Sequence, residues 1–466
     1  MRSNGKRDIG VSSAGALWRA CGLLIALLVA APVALVPIYP AAAQGDYPAT
    51  AQDDAPVVSP DRLQDVPLLM ADVDAFPSLD TFAWRAFIAL NWPSLTDPSH
   101  RGVADRTKTL GDPGPRVWET FKARYELFQV GQDGRPTAPQ PWATYDAANP
   151  CGADVDGRAK TLAAFVPFMD FNQFFATGVP GNPLVAQNRT YTRYETRINE
   201  PEYSALAVSG WSQGLNLPDP DHPGQIPAGS IAVKAAWRVL TAADTPAVRA
   251  RYYVVENANV VDVAKTRAAR RVVCTKSDVA LVGLHIVIRT PRRPQGLWSS
   301  FEHVDNVPPT GAGEAREPDA KDAGAPYSYF DASKPKLGLS PRFGSAGALP
   351  VSLDHPPSLD PRPMQVVRRH PIHLSTMAMN RAFWALPGIK GTVWEHYMLV
   401  SNQWPTQAHP IDPHNDGVYF PDARRENLAN TTIETYRQDL PSSCMACHQS
   451  FNATGRDFVG MLASFR

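Results

Sequence analysis

The sequence predicts an α+β fold with an antiparallel, β-rich core (a sandwich or an open barrel), flanking helices and a helical C-terminal segment. Three observations carry this. Runs that alternate apolar and polar residues crowd between positions 190 and 306, whereas helical periodicity is confined to the flanks. The run 279–290 is nearly continuous in apolar residues, as a strand covered on both faces would be. The 45 prolines argue for many loops and few long helices.

The elements follow in order. Residues 44–75 are rich in Asp, Pro, Ala and Gln, lack periodicity and read as an extended leader. Residues 78–92 read as a helix: Leu79, Phe82, Ala83, Phe87 and Leu90 share a face, Ser78 is placed to cap it and Pro93 to stop it. Residues 115–128 repeat the pattern through Val117, Phe121, Tyr125 and Phe128. The period then becomes two. Strands are predicted over 191–198, 231–239, 249–263, 279–290 and 297–305; the fourth, VALVGLHIVIRT, is nearly continuous in apolar residues and predicts cover on both faces. Residues 307–365 are rich in Pro, Gly, Asp and Ala and read as a long surface loop. A short helix is predicted over 376–386, capped by Ser375, then a returning strand over 392–404 and a helix over 424–438 broken by Pro441. The main α+β domain therefore runs over 76–306, and 366–466 is a C-terminal segment that packs on it.

That segment contains Cys444-Met445-Ala446-Cys447-His448. The CxxCH spacing is the attachment signature of a c-type haem: two thiols form thioethers with the vinyl groups, and the adjacent imidazole is set beneath the iron as proximal ligand. A zinc site would need a second ligand pair at close spacing, and no other CxxC is present. A disulfide or thiol redox pair is the remaining alternative. Only 18 residues follow His448, too few to build a haem pocket, so residues before the motif must wrap the group.

The N-terminus fits export. Arg2, Lys6, Arg7 and Arg19 precede an apolar stretch over 20–38, and Ala41-Ala42-Ala43 forms a cleavage site, so 1–43 reads as a signal peptide and the periplasm as the destination. Cleavage there changes the net charge from zero to −3, which gives no reason to expect nucleic acid or an anionic membrane surface as partner. No later segment is long and apolar enough to span a bilayer. Cys151 and Cys274 are the remaining mature cysteines; in an oxidising compartment they are expected to pair, with two buried thiols as the alternative.

Four phrases, FAWRAFIALNWP at 82–93, IAVKAAWRVL at 231–240, LVGLHIVIRTPRRPQGLWSSFEHVDNVP at 281–308 and LANTTIETY…SSCMACH at 428–448, together resemble secreted bacterial cytochrome c family proteins with a single C-terminal CxxCH. The resemblance implies a periplasmic protein with one haem and points to no substrate.

The second axial ligand decides what such a haem does, because two protein ligands suit electron transfer and an open site suits small-molecule chemistry. Met461, thirteen positions beyond His448, is the nearest candidate. Met377, Met379, His370, His373 and His396 are further ones. A second constellation, His285 with His303 and Asp305, would offer two imidazoles and a carboxylate to non-haem iron or zinc if their strands pair, with Glu302 pointing the other way; a polar network ordering the loop at 306–308 is the alternative. Trp237, Trp298, Trp394 and Trp404 fall in predicted strands, as core or as a stacking surface. Asp412, Asn415, Asp416 and Asp422 lack an EF-hand spacing and read as a polar loop. The sequence thus favours a single-electron carrier exchanging with a redox partner. A haem peroxidase or oxygenase with an open site, and a ligand-binding module that uses haem as sensor, are the rivals.

Overall fold

A computed structural model describes residues 55–62, 64–65, 75–131, 133–145, 149–152, 155–173, 183–310, 327–334, 351–404 and 429–438, together with 444, 445, 447, 448, 457, 459 and 461. The signal-peptide reading over 1–43, most of the leader and the acidic loop at 412–422 lie outside these residues. Among the described residues no helix is long and apolar enough to cross a membrane.

Helix α1 (Ala75–Leu90) starts earlier than its apolar spacing suggested, so Ser78 lies inside it rather than at its cap. It is apolar almost all round: Leu79, Phe82, Trp84, Phe87, Ile88 and Leu90 are buried, which places it inside the molecule rather than on its surface. Asn91 ends it, its amide donating back to the Phe87 carbonyl at 2.8 Å. The helix predicted over 115–128 is instead a 3-10 turn (Val117–Thr120), the short strand β1 (Lys122–Ala123) and a single turn α2 (Arg124–Leu127). Buried polar groups break it there, Arg101 and Lys122 converging on the Glu126 carboxylate. A hairpin, β2 (Gln129–Val130) and β3 (Pro136–Thr137), follows, then β4 (Thr161–Leu162).

The core sheet is assembled from β5 (Arg193–Ile198), helix α3 (Glu200–Val208) leading away from it, β6 (Ile231–Val239), the turn α4 (Pro246–Arg249), β7 (Val254–Val261), helix α5 (Val263–Ala269), β8 (Cys274–Thr290) and β9 (Arg293–His303). The strand predicted over 249–263 is thus shortened at both ends. Asp262 accepts from the Lys265 amide and starts α5 in its place. Helix α6 (Leu374–Trp384) begins at His373, whose ring rather than Ser375 receives the first amide. Residues 392–404 divide into a 3-10 turn and β10 (Tyr397–Gln403).

β8 is the spine. One edge pairs with β6, and the other pairs first with β7 and then with β9, which in turn pairs with β10; β5 and β1 extend the β6 side. All these pairings are antiparallel, while the short β4 lies parallel to β7. The result is an α+β protein built on one branched eight-stranded sheet rather than a sandwich of two. Cys151 and Cys274 form a disulfide that ties the start of β8 to a loop 123 positions earlier.

The two sides of the sheet differ. On the front, Val233, Ala235, Leu284, Ile286, Leu297 and Phe301 meet α1 and α6. Trp84 stacks on Phe383 at 5.0 Å and Phe87 on Phe301 at 4.3 Å, and the Trp84 indole donates to Asn380 at 2.9 Å. Period two sends Gly283, His285 and Val287 of β8 to the rear. The described parts of the loop read over 307–365 are not all at the surface: Tyr329 is fully buried and shares a hydrogen bond with Thr192 at 2.8 Å.

Candidate functional site

The register fixes what the rear face presents. Val287 lies opposite Ala232 on one side and Trp298 on the other, and Trp298 opposite Gln403. In the next row His285 lies between Lys234 and Ser300, and in the third Gly283 lies between Ala236 and Glu302.

Residues 429–438 cross this face in turns and a 3-10 element, not in the predicted helix; residues 424–428 lie outside the described set. Polar side chains hold the segment down. Asn430 donates to the Ser300 hydroxyl at 3.1 Å and the Phe301 carbonyl at 3.0 Å. The Thr431 amide and hydroxyl donate to Glu302 at 2.5 and 2.6 Å, and Arg368 donates to the same carboxylate at 2.8 Å. The Tyr194 hydroxyl donates to the Thr432 carbonyl at 2.8 Å. Gly283 permits this approach: a Cβ there would stand 2.4 Å from the Thr432 hydroxyl. Glu434 then reaches His285, with 3.3 Å between carboxylate oxygen and Nε2, and it also accepts from the Asn430 amide at 2.9 Å.

The CxxCH residues lie in the adjoining row. Met445 is buried against Trp298 with Val287 and Cys444 beside them, and its amide donates to the Gln403 side chain at 2.9 Å. The His448 ring sits 4.7 Å from the Trp298 ring, centroid to centroid, at 58°. The Trp298 indole is fixed by its own bond to the Gln295 carbonyl at 3.0 Å. Between them Gly296 adopts φ +92°, a conformation that favours glycine.

The chain beyond the motif is pinned in two places. Asp457 accepts from the Ile226 amide at 2.7 Å and from Arg289 at 3.0 Å. Burial pushes the Asp457 carboxyl up to about 6, against the opposing pull of Arg289. Val459 and Met461 then pack with Leu127, Ile198, Tyr203, Leu206 and Ile226.

The electrostatics of the site favour neutral sulfur. Burial, together with the Glu434 carboxylate, raises the Cys444 thiol well above its ordinary value. Desolvation of the sulfur also raises Cys447, although the residue is exposed, with Arg437 and Lys234 drawing it back down. Desolvation lowers the Lys234 ammonium, and Glu434 partly restores it. Burial alone would raise Glu434, yet His285 and Lys234 bring it below the usual carboxylate value.

The sequence candidates separate clearly. Cys444, Cys447 and His448 gather on the rear face. Met377 is fully buried in the front core, and Met379 accepts from Thr81 at 3.5 Å, so the sheet stands between both and the motif. His370 is engaged with the Gln438 carbonyl at 3.0 Å, His373 caps α6, and the His396 ring lies 6.0 Å from that of His303. The non-haem metal constellation is not assembled. Ser300, not His303, lies opposite His285, so Glu302 shares its face while His303 stacks on Tyr252 at 3.7 Å and Asp305 pairs with Arg251. Among the described residues no group of three or more His, Cys, Asp or Glu side chains is arranged to hold a metal ion. Trp237, Trp394 and Trp404 belong to the core, and Trp298 alone of the four lies under the motif.

Lys234 and Glu434 had not been singled out from the sequence. The signal for Lys234 was present, as a lysine within the apolar run IAVKAAW.

The residues fit a covalently bound haem. Two thiols at CxxCH spacing, an imidazole adjoining them and an apolar floor of Val287, Trp298 and Met445 form a set of the right chemistry. No protein family, curated protein or solved structure matches this chain.

Proposed function

We propose that this protein is a periplasmic monohaem c-type cytochrome that passes single electrons between a redox partner and a second donor or acceptor. The observation that carries the reading is the meeting of Cys444 and His448 at one floor formed by Trp298 and Val287, with Cys447 in the same short segment, while the other two described cysteines are committed to a disulfide. The resemblance of the 82–93, 231–240, 281–308 and 428–448 phrases to secreted cytochrome c family proteins supports it. Haem bound there would supply a one-electron ferric/ferrous couple.

The chain's own residues supply attachment and surroundings. Cys444 and Cys447 would hold the group by thioether bonds. His448 would ligate the iron, its ring orientation limited by Trp298. The Gln403–Met445 bond fixes the loop between the two cysteines. Residues 429–438 and the Asp457 anchor close the sides, and Arg289 compensates the buried charge of that anchor.

The test is direct. Protein produced in a periplasm with haem-attachment machinery should carry one haem that resists acid-acetone extraction and gives a c-type pyridine haemochrome. The Cys444→Ser/Cys447→Ser double variant should carry none. Covalent haem persisting in that variant would remove the basis of the reading. Reversible reduction and reoxidation without carbon monoxide binding would support the carrier; rapid carbon monoxide binding to the ferrous form would favour a haem enzyme.

A further inference from the structure

We propose that the connection between α5 and β8 is a docking surface for an acidic protein partner, whose carboxylates its basic side chains receive.

The sequence supplies the charge. Residues 263–276 hold Lys265, Arg267, Arg270, Arg271 and Lys276 and no acidic residue. The full chain is neutral by formal count, so the rest of it carries −5. A local charge of one sign draws partners of the other sign and speeds their association. All five residues are exposed. The acids that flank the run are occupied: Asp262 caps α5 and stands 3.5 Å from Lys265, and Asp278 pairs with Arg249. Among the described residues no acid pairs with Arg267, Arg270, Arg271 or Lys276.

The backbone supplies a second observation. Arg270 ends α5 at φ +53° and ψ +26°, in the left-handed region. Glycine is the usual residue there, because a Cβ makes that conformation costly. An arginine kept at such a position points to a use for its guanidinium that outweighs the backbone cost. One basic side chain would satisfy the helix C-terminus, and this run sets Arg267, Arg270 and Arg271 there together.

The patch is also held in place. Thr266 is buried and exchanges two hydrogen bonds with Val273, at 3.1 and 3.0 Å, and the Asp262 amide donates to the Val273 carbonyl at 2.8 Å. The disulfide from Cys274 to Cys151 ties down the start of β8. The cations therefore stand on fixed backbone, which lowers the entropy lost on binding.

The chemistry selects the partner. Arginine forks bond carboxylates in bidentate pairs. The exposed residues between the cations are Ala264, Ala268, Ala269 and Thr275, so the patch offers no long apolar side chain to a bilayer and no ring to a nucleobase. Lys276 lies eleven positions before Val287 on β8, about 36 Å along the strand, so a partner docked here leaves the CxxCH floor open.

Titration calorimetry of the intact protein with a short oligoglutamate peptide, repeated at rising salt, tests the surface. Wild type should bind the peptide, with affinity falling as salt rises. Carbodiimide coupling should join the peptide to Lys265 and Lys276 and not to the exposed Lys390. Arg267→Gln/Arg271→Gln should weaken binding about tenfold. Arg135→Gln/Lys390→Gln removes the same charge elsewhere on the surface and should leave the affinity unchanged. Arg270→Gly separates recognition from folding: binding should weaken while the unfolding midpoint stays level or rises. An equal loss in the two double variants, an Arg270→Gly variant that binds like wild type, or coupling that misses Lys265 and Lys276 would overturn the docking surface. Tighter binding to phosphatidylglycerol vesicles than to the peptide at equal salt would overturn the assignment to a protein partner.

Discussion

The two faces of the central sheet are covered by opposite means. The front is closed by helices α1 and α6 through stacked aromatic rings and aliphatic side chains. The rear is closed by a segment with almost no regular structure, held by Asn430, Thr431, Glu302, Arg368, Tyr194 and Glu434. Apolar burial is non-directional and tolerates small shifts, whereas a hydrogen bond fixes a group within a few tenths of an ångström. The difference teaches a division of labour. The front supplies stability, and the rear supplies position for the cysteines and histidine of the CxxCH segment.

Four experiments break or sharpen that contrast. The largest effect is expected on the front: Trp84→Ala removes a fully buried ring and should cost about 3–5 kcal/mol in denaturant unfolding, with rear-face spectra unchanged in the folded fraction. A loss confined to the rear would refute the division.

The second lies behind the sheet, on α3. Burial, opposed by Arg289 and reinforced by Asp457, raises the Glu202 carboxyl from 4.5 to about 7. The folded state therefore keeps a proton that the unfolded chain releases. This contribution is fully present below about pH 4.5 and is lost as pH rises through about 7. Over that window Glu202→Gln should remove a fall in stability on the order of 2–3 kcal/mol, measured as the difference between the two unfolding curves. Parallel curves would show that Glu202 does not hold the proton.

Third, Glu302→Gln keeps the volume but deprives Arg368 and Thr431 of a charged acceptor. It should cost about 2–3 kcal/mol and increase hydrogen exchange over 429–438. Exchange spread evenly over the sheet would mean that Glu302 supports the core instead.

The smallest is Gly283→Ala. The added methyl meets the Thr432 hydroxyl at 2.4 Å and should cost about 1–3 kcal/mol while displacing the rear segment. A neutral result would show that the segment has room to move.

Much of the front face was legible before folding. The apolar spacing of residues 78–92 and the alternation of 231–239 reflect one-sided or total burial, and local periodicity records that directly. The run 115–128 misled because its helical spacing says nothing of the buried charges of Arg101, Lys122 and Glu126 that reshape it. Within the run 424–438, the described residues 429–438 depart from a helix because Asn430 and its threonines bond across to β9 and β5, a competition that these side chains commonly win.

By itself the sequence determined that two sulfurs and an imidazole share one short stretch of chain, because CxxCH is a local pattern and its spacing needs no tertiary contact. It also determined the β-rich core, since period-two alternation is a property of neighbouring residues. Only the tertiary structure decided what surrounds the motif. Strand register is a long-range quantity, and a shift of one residue would send His285 to the front and bring Leu284 or Ile286 to the rear. It is this register that removes His303 and Asp305 from His285 and sets Lys234 and Ser300 beside it.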